Sequence, residues 1–180
     1  MTDRRGFLGL AMAALVARPA MGAGLMTGQM TAAGELEWSY LADTVMGGVS
    51  TGQARMEGGA LRLTGTVSTA NNGGFIQSRT AFEDGLPAGA QGLLIRVRGN
   101  GQRYFIHLRT RSTRLPWQYY QAGFDAGAGW QDIRLPFDAF ERSGGMLPSR
   151  PAPDSVRSVG LVAYGRDHEA DVSLAALGVY

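Results

Sequence analysis

The chain of 180 residues contains no cysteine and no lysine. The absence of cysteine excludes structural disulfides, thiol catalysis and thiolate metal sites. A chain of this length forms one domain with a short appendage, and we expect its hydrophobic core alone to stabilise it. All 17 basic residues are arginine, which by itself indicates no particular function.

The sequence also lacks an apolar segment of membrane-spanning length, because the apolar stretch 8–17 is too short to cross a bilayer as a helix. This stretch follows Arg4-Arg5-Gly6-Phe7-Leu8, the residue order of a twin-arginine export leader. Small residues at 20–24 offer a cleavage region. We predict a twin-arginine signal peptide at 1–23, a linker at 24–34 and one domain at 35–180, in a periplasmic or otherwise exported protein without a membrane span after cleavage.

Net charge is missing outside this leader. Arg4, Arg5 and Arg18 account for the positive balance, and the rest of the chain has as many acidic as basic residues. The overall charge therefore gives no reason to expect a nucleic-acid partner.

Helical periodicity is absent after the leader, apart from one short helical turn expected at 137–142. The 27 glycines and the apolar–polar alternation with period two predict short strands joined by tight turns. This pattern favours an all-β sandwich or barrel. The predicted strands lie at 60–65, 93–98, 103–111, 117–124, 130–135, 158–164 and 172–180.

One predicted turn has a specific signature. Gly99-Asn100-Gly101 is typical of a hairpin, because its glycines adopt positive φ at no steric cost. If the flanking runs pair in register, Arg96 and Arg98 lie beside the arginines of the run 103–111.

Three segments together resemble one known family. They are 38–50, which contains Asp43-Thr44-Val45-Met46-Gly47-Gly48-Val49-Ser50, then 65–79, which contains Asn71-Asn72-Gly73-Gly74-Phe75, and 155–161. In this combination the chain resembles the complex I intermediate-associated protein family, over nearly all of 35–180. The resemblance implies a galactose-binding-like jelly-roll β-sandwich. The residues that carry it are Asp43, Gly47, Gly48, Ser50, Asn71, Asn72, Gly73, Gly74 and Arg79.

The resemblance also implies a function. Mitochondrial members of the family are implicated in the assembly of respiratory complex I, so we expect a non-enzymatic binding or assembly module with a protein partner. Residues 130–140 are similar to a segment of sandwich-type carbohydrate-binding modules, and a glycan-binding module is therefore the alternative. A shared fold does not by itself transfer sugar binding.

Residues 48–52 fit the G-x-S-x-G pattern of hydrolases. That motif requires a strand-to-helix turn on an α/β sheet, whereas a strand is expected after Ser50. We interpret Gly47 and Gly48 as a bend and Ser50 as a partner of nearby backbone groups. Asn71 and Asn72 are expected in left-handed conformations, and Arg79 is expected to pair with Asp43.

Arginines and aromatic residues cluster between Asp84 and Asp125, where no acidic residue occurs. Strand alternation places Tyr104, Ile106, Leu108 and Thr110 on a core face and Phe105, His107, Arg109 and Arg111 on the opposite face. We expect the second face to bind an acidic protein surface or an anionic or polyhydroxylated ligand; its alternative is a solvated face whose arginines bridge to acids elsewhere. The candidate binding residues are Arg96, Arg109, Arg111, Arg114, Trp117, Tyr119 and Tyr120.

No cofactor signature or phosphate-binding loop occurs in the sequence, and we predict no cofactor and no metal site. The densest polar cluster, 165–171, contains Asp167, Glu169 and Asp171, which are oxygen ligands suited to Ca²⁺. It lacks the ligand spacing of an EF-hand loop, so we interpret it as a solvated loop at a turn.

Overall fold

Alternating burial along short strands gives this chain two layers. The computed structural model describes residues 24–180, so the predicted leader at 1–23 lies outside the described residues. The strands in chain order are β1 (Met30–Ala32), β2 (Ser39–Ala42), β3 (Thr51–Glu57), β4 (Ala60–Val67), β5 (Phe75–Ala81), β6 (Gly92–Gly99), β7 (Gln102–Thr110), β8 (Tyr120–Ala126), β9 (Gln131–Pro136), β10 (Glu141–Arg142), β11 (Val156–Tyr164) and β12 (His168–Val179).

These strands form two antiparallel sheets. Sheet 1 has the order β3-β4-β12-β6-β9, with β1 also paired to β12, and sheet 2 has the order β10-β8-β7-β11-β5-β2. The predicted all-β sandwich is thereby confirmed. Helical structure in the described part of the chain consists of short 3₁₀ turns, one of them Phe137–Ala139, where a helical turn was expected.

The core lies between the two inner faces. Leu63, Ile95 and Leu174 of sheet 1 are 1% exposed or less and belong to one apolar cluster with Ile106 and Leu161 of sheet 2. Each such side chain contributes about 1.5–3 kcal/mol by leaving water. No helix of the described residues is both long and apolar enough to cross a membrane.

Two expectations about chain organisation are wrong. Segment 24–34, expected to be a linker, belongs to the sandwich: Leu25 is buried and β1 pairs with β12. The turn at 99–101 is not a hairpin, because β6 lies in sheet 1 and β7 in sheet 2. Asn100 instead joins the layers, since its amide donates to the Glu169 carbonyl and the Tyr104 hydroxyl donates to its side-chain oxygen.

Candidate functional site

The motif around Asp43 and the motif around Asn71 meet at one buried carboxylate. Asp43 is fully buried, and one of its oxygens accepts a hydrogen bond from the Ser50 amide at 2.9 Å. Its other oxygen accepts from the Ser50 hydroxyl at 2.5 Å, the Gly74 amide at 2.5 Å and the Phe75 amide at 3.2 Å. Asp43 therefore fastens the turn before β3 to the turn before β5.

The glycines of both motifs make room for this carboxylate. A Cβ atom at Gly48 or Gly73 would collide with the Asp43 side chain, and Gly47 has a positive φ of 90°. Asn71 and Asn72 have φ values of 57° and 58°, which confirms their predicted left-handed conformations. These motif residues thus have a structural role at the edge of the sandwich.

The Ser50 hydroxyl is unsuited to nucleophilic attack. Ser50 is 1% exposed, its hydroxyl donates to Asp43 and accepts from the Ser68 amide at 3.0 Å, and strand β3 follows it. Burial raises the pKa of Asp43, but the hydrogen bonds from Ser50, Gly74 and Phe75 outweigh burial and hold that pKa below its ordinary value. Asp43 therefore stays ionised and accepts the hydrogen bonds of both turns.

The predicted pair of Asp43 and Arg79 does not form. Arg79 lies on β5 in register with Gly160 of β11, on the outer face of sheet 2. Within residues 24–180 it makes no ion pair. Backbone amides replace it at Asp43, because the turn before β3 brings the Ser50 amide and the turn before β5 brings those of Gly74 and Phe75 to the carboxylate.

The outer face of sheet 2 carries most of the predicted binding residues. The alternation predicted for β7 is confirmed, because Tyr104, Ile106, Leu108 and Thr110 are buried, while Phe105, His107 and Arg109 are partly exposed. Register across the sheet then builds the rows of this face. One row runs Arg79, Gly160, His107, Gln121 and Glu141, and the next runs Gln77, Val162, Phe105 and Gly123.

Aromatic rings cover the centre of this face. The rings of His107 and Tyr119 stack at 4.1 Å with an interplanar angle of 7°, and the Tyr119 hydroxyl bonds to that of Tyr164 at 3.1 Å. Phe105 meets Tyr164 edge to face. Burial lowers the pKa of His107 to about 4, against a smaller opposing effect of Gln121, and burial raises the pKa of Tyr119. His107 is therefore neutral at physiological pH.

Arg109 fixes the loop between β7 and β8, residues 111–119. Its guanidinium donates to the carbonyls of Thr113, Leu115 and Pro116 at 2.8–3.0 Å. Burial lowers the pKa of Arg109, and the charge of Arg79 lowers it further. Arg109 is thus a positioning residue and not a free ligand contact. The residues that it holds out toward solvent are Arg111, Arg114 and Trp117, the last 65% exposed.

Two predicted binding residues lie elsewhere. Tyr120 points into the core, where it is 1% exposed and its hydroxyl donates to the Pro148 carbonyl at 2.9 Å. Arg96 lies on the outer face of sheet 1, where it forms a bidentate pair with Asp132 at 2.7 and 2.9 Å. The expectation that Arg96 joins the arginines of β7 failed because the turn at 99–101 changes sheets.

The polar cluster 165–171 is committed to internal contacts. Asp167 accepts from the amide and hydroxyl of Thr69, Glu169 accepts from the Thr66 hydroxyl, and Asp171 pairs with Arg62. Residues from His168 onward belong to β12, so the expected solvated loop is limited to 165–167. No group of three or more metal-ligating side chains occurs in residues 24–180.

A cavity of about 610 Å³ lies at one end of sheet 2, and no residue pattern predicted it. Its walls come from the segment before β2, the segment after β5 and the outer face of sheet 2. We call it the end cavity. Its lining includes Glu35, Leu36, Glu37, Arg79, Phe82, Glu83, Asp84 and Ser158.

The two-sheet jelly roll, whose motif residues support turns and whose outer face carries a fixed loop, defines a β-sandwich module of the binding or assembly class. Residues 27–175 match the sequence model of the family described as complex I intermediate-associated protein 30 (CIA30), and the chain therefore belongs to this family. The resemblance based on segments 38–50, 65–79 and 155–161 is confirmed. No curated protein sequence is a significant match.

Solved structures share the fold at low identity. The family 11 carbohydrate-binding module of the cellulosomal cellulase Lic26A-Cel5E of Clostridium thermocellum is 15% identical over 86% of this chain and 96% of that chain, with a TM-score of 0.64. A family 11 module from Clostridium thermocellum in complex with a β-1,3-1,4-mixed-linked tetrasaccharide is 14% identical over 79% and 87%, with a TM-score of 0.59. The agarase AgWH50C is 11% identical over 80% of this chain but 22% of its own, with a TM-score of 0.55. These likenesses concern the fold.

Proposed function

We propose that this chain is an exported, non-catalytic module that binds a protein partner through the outer face of sheet 2. The observation that carries the proposal is the 111–119 loop. Its exposed side chains include Arg111, Arg114 and Trp117; neither arginine forms an ion pair within residues 24–180, and Arg109 fixes the loop backbone with three hydrogen bonds. A surface that is ordered before binding loses less entropy when it binds.

The composition of this face supports a protein rather than a glycan. Tryptophan, tyrosine and arginine are the residues that contribute most to protein–protein affinity. Sugar rings bind by stacking on exposed aromatic faces. Trp117 offers one such ring, but the rings at the centre of the face cover one another, because His107 stacks on Tyr119 and Tyr164 meets Phe105 and Tyr119 edge to face. The description of the family also supports an assembly role with other proteins.

Site-specific photocrosslinking in the native cell tests this proposal. A benzophenone amino acid replaces Trp117 in one strain and Trp130, which is exposed on sheet 1, in a matched control strain. We expect a protein adduct from position 117 that position 130 does not give, identified by mass spectrometry. Equal adducts at both positions, or a glycan array in which the protein binds sugar and Trp117→Ala abolishes that binding, would overturn the assignment.

The export part of the proposal rests on the Arg4-Arg5-Gly6-Phe7-Leu8 pattern. Replacement of Arg4 and Arg5 by lysine preserves the charge but removes the paired guanidinium groups. We expect the variant to accumulate in the cytoplasmic fraction while the wild-type protein reaches the periplasm. Normal export of the variant would refute the leader assignment.

A further inference from the structure

The end cavity and the 111–119 loop lie side by side at one end of sheet 2. Ser155 and the first residues of β11 separate them: the Arg111 amide donates to the Ser155 carbonyl on one side, and the Phe82 amide donates to the Arg157 carbonyl on the other. Ser158 is in register with both Arg109 and Ala81. The loop therefore forms a ridge over one half of the outer face, and the cavity leaves the other half open.

The ridge and the cavity carry opposite charge. Glu35, Glu37, Glu83 and Asp84 line the cavity and are exposed, with Arg79 as one cation among them. Arg111 and Arg114 lie on the ridge, which contains no acidic residue. Within residues 24–180 none of these four carboxylates and neither ridge arginine forms an ion pair.

Both features also contain apolar side chains. Trp117 projects from the ridge with 65% of its surface exposed, and Leu36 and Phe82 contribute apolar side chains to the wall of the cavity. A volume of about 610 Å³ accommodates an indole ring together with neighbouring side chains. A buried tryptophan surrounded by charge pairs is the usual composition of an energetically dominant contact.

We infer that a second copy of this chain occupies the end cavity, in a symmetric dimer in which the ridge of each copy enters the cavity of the other. A twofold axis that lies in the interface and runs along β11 near Ser158 would place the ridge of each copy over the cavity of the other, so both contacts form at once. Such isologous pairing is the commonest form of oligomer. The inference rests on the proposed function, since it takes this face to be protein-binding.

Charge-reversed variants test the dimer directly. Glu37→Arg with Glu83→Arg makes both halves of the face basic, and Arg111→Glu with Arg114→Glu makes both acidic; all four positions are exposed. We expect wild-type protein to show a concentration-dependent dimer mass by light scattering at low salt, and each variant to be monomeric. An equimolar mixture of the two variants should restore the dimer, because the basic face of one variant then meets the acidic face of the other.

Arg55→Glu on sheet 1 is the matched control, because Arg55 is exposed and forms no ion pair within residues 24–180; it should leave the dimer mass unchanged. A wild-type protein that is monomeric at every concentration, or a variant mixture that stays monomeric, would overturn the inference. A monomeric protein that still crosslinks to another protein from position 117 removes the dimer and leaves the proposed function standing. A protein that neither dimerises nor crosslinks from position 117 would contradict both the dimer and the proposed function.

Discussion

The two outer faces of the sandwich use arginine in opposite ways. On sheet 1, Arg62 bridges Glu57 and Asp171, and Arg96 pairs with Asp132. Two further arginines there lie over aromatic rings: Arg98 is 4.7 Å from the Trp130 ring centre and Arg134 is 4.9 Å from that of Tyr180. On sheet 2, Arg103 makes one long pair with Asp125 at 3.5 Å, whereas Arg109 donates to backbone carbonyls.

This difference shows where the molecule has free recognition capacity. A guanidinium already held by a carboxylate must break that pair before it can contact a partner, whereas Arg111 and Arg114 keep their donors available. The arginines of sheet 1 other than Arg55 are therefore already held by carboxylates or aromatic rings of the same face. The outer face of sheet 2 has a buried, ordered centre, and the side chains at its rim are free to contact a partner.

The largest expected effect concerns the buried centre of the sheet 2 face. Burial lowers the pKa of His107 to about 4, below the ordinary value of roughly 6.5 in the unfolded chain. As the pH falls, the His107 imidazole is therefore protonated in the unfolded chain before it is protonated in the folded protein. The stability that this residue contributes is complete above pH 6.5 and is lost as the pH falls toward 4. The size of this loss is on the order of 3 kcal/mol. Urea unfolding across this pH range measures it.

His107→Phe is the matched variant, because it keeps a ring against Tyr119 but cannot titrate. Its free energy of unfolding should depend less on pH between 4 and 6.5 than that of the wild type. A remaining slope is expected from His168, whose pKa burial also lowers. An NMR titration that finds an ordinary pKa for His107 would contradict the buried, neutral imidazole.

The second effect concerns the 111–119 loop on the outer face of sheet 2. Arg109→Met removes the donors to three loop carbonyls, and we expect the free energy of unfolding to fall by about 2 kcal/mol. The loop should also open locally. Trypsin cleaves only after arginine in this chain, which has no lysine. The opening should therefore be measurable as faster cleavage after Arg111 and Arg114.

Arg79→Met is the control for this loss of order. Arg79 lies on the same face and near Arg109, but its side chain makes no ion pair within residues 24–180. Its replacement should leave the tryptic cleavage rate of the loop unchanged. Equal cleavage rates in the Arg109 variant and the wild type would show that the three hydrogen bonds do not order the loop.

The sequence predicted features that depend on local periodicity and missed those that depend on layer choice. The two faces of β7 follow from alternation, so the positions of Ile106 and His107 could be foreseen. Gly101 adopts the positive φ expected in the turn at 99–101, but turn chemistry does not decide which sheet the next strand joins. Arg96 was therefore assigned to the wrong face.

Contacts to the backbone were equally hidden. Arg109 bonds to carbonyls, and Asp43 accepts from amides of Ser50, Gly74 and Phe75. Every residue carries a carbonyl and nearly every residue an amide, so such partners leave no trace in residue type. The sequence instead favoured a charge pair between Asp43 and Arg79, the complementary side chains that it does display.

The smallest expected effect lies on the outer face of sheet 1. Arg96→Gln removes the pair with Asp132, and both side chains are about half exposed. Exposed ion pairs contribute little, because water and salt screen them and two long side chains lose rotamer freedom. We expect the urea midpoint to shift by no more than its experimental error and trypsin cleavage of the 111–119 loop to stay at the wild-type rate. A loss as large as that of Arg109→Met would mean that the sheet 1 pairs stabilise the fold, and the contrast between the two faces would then not hold.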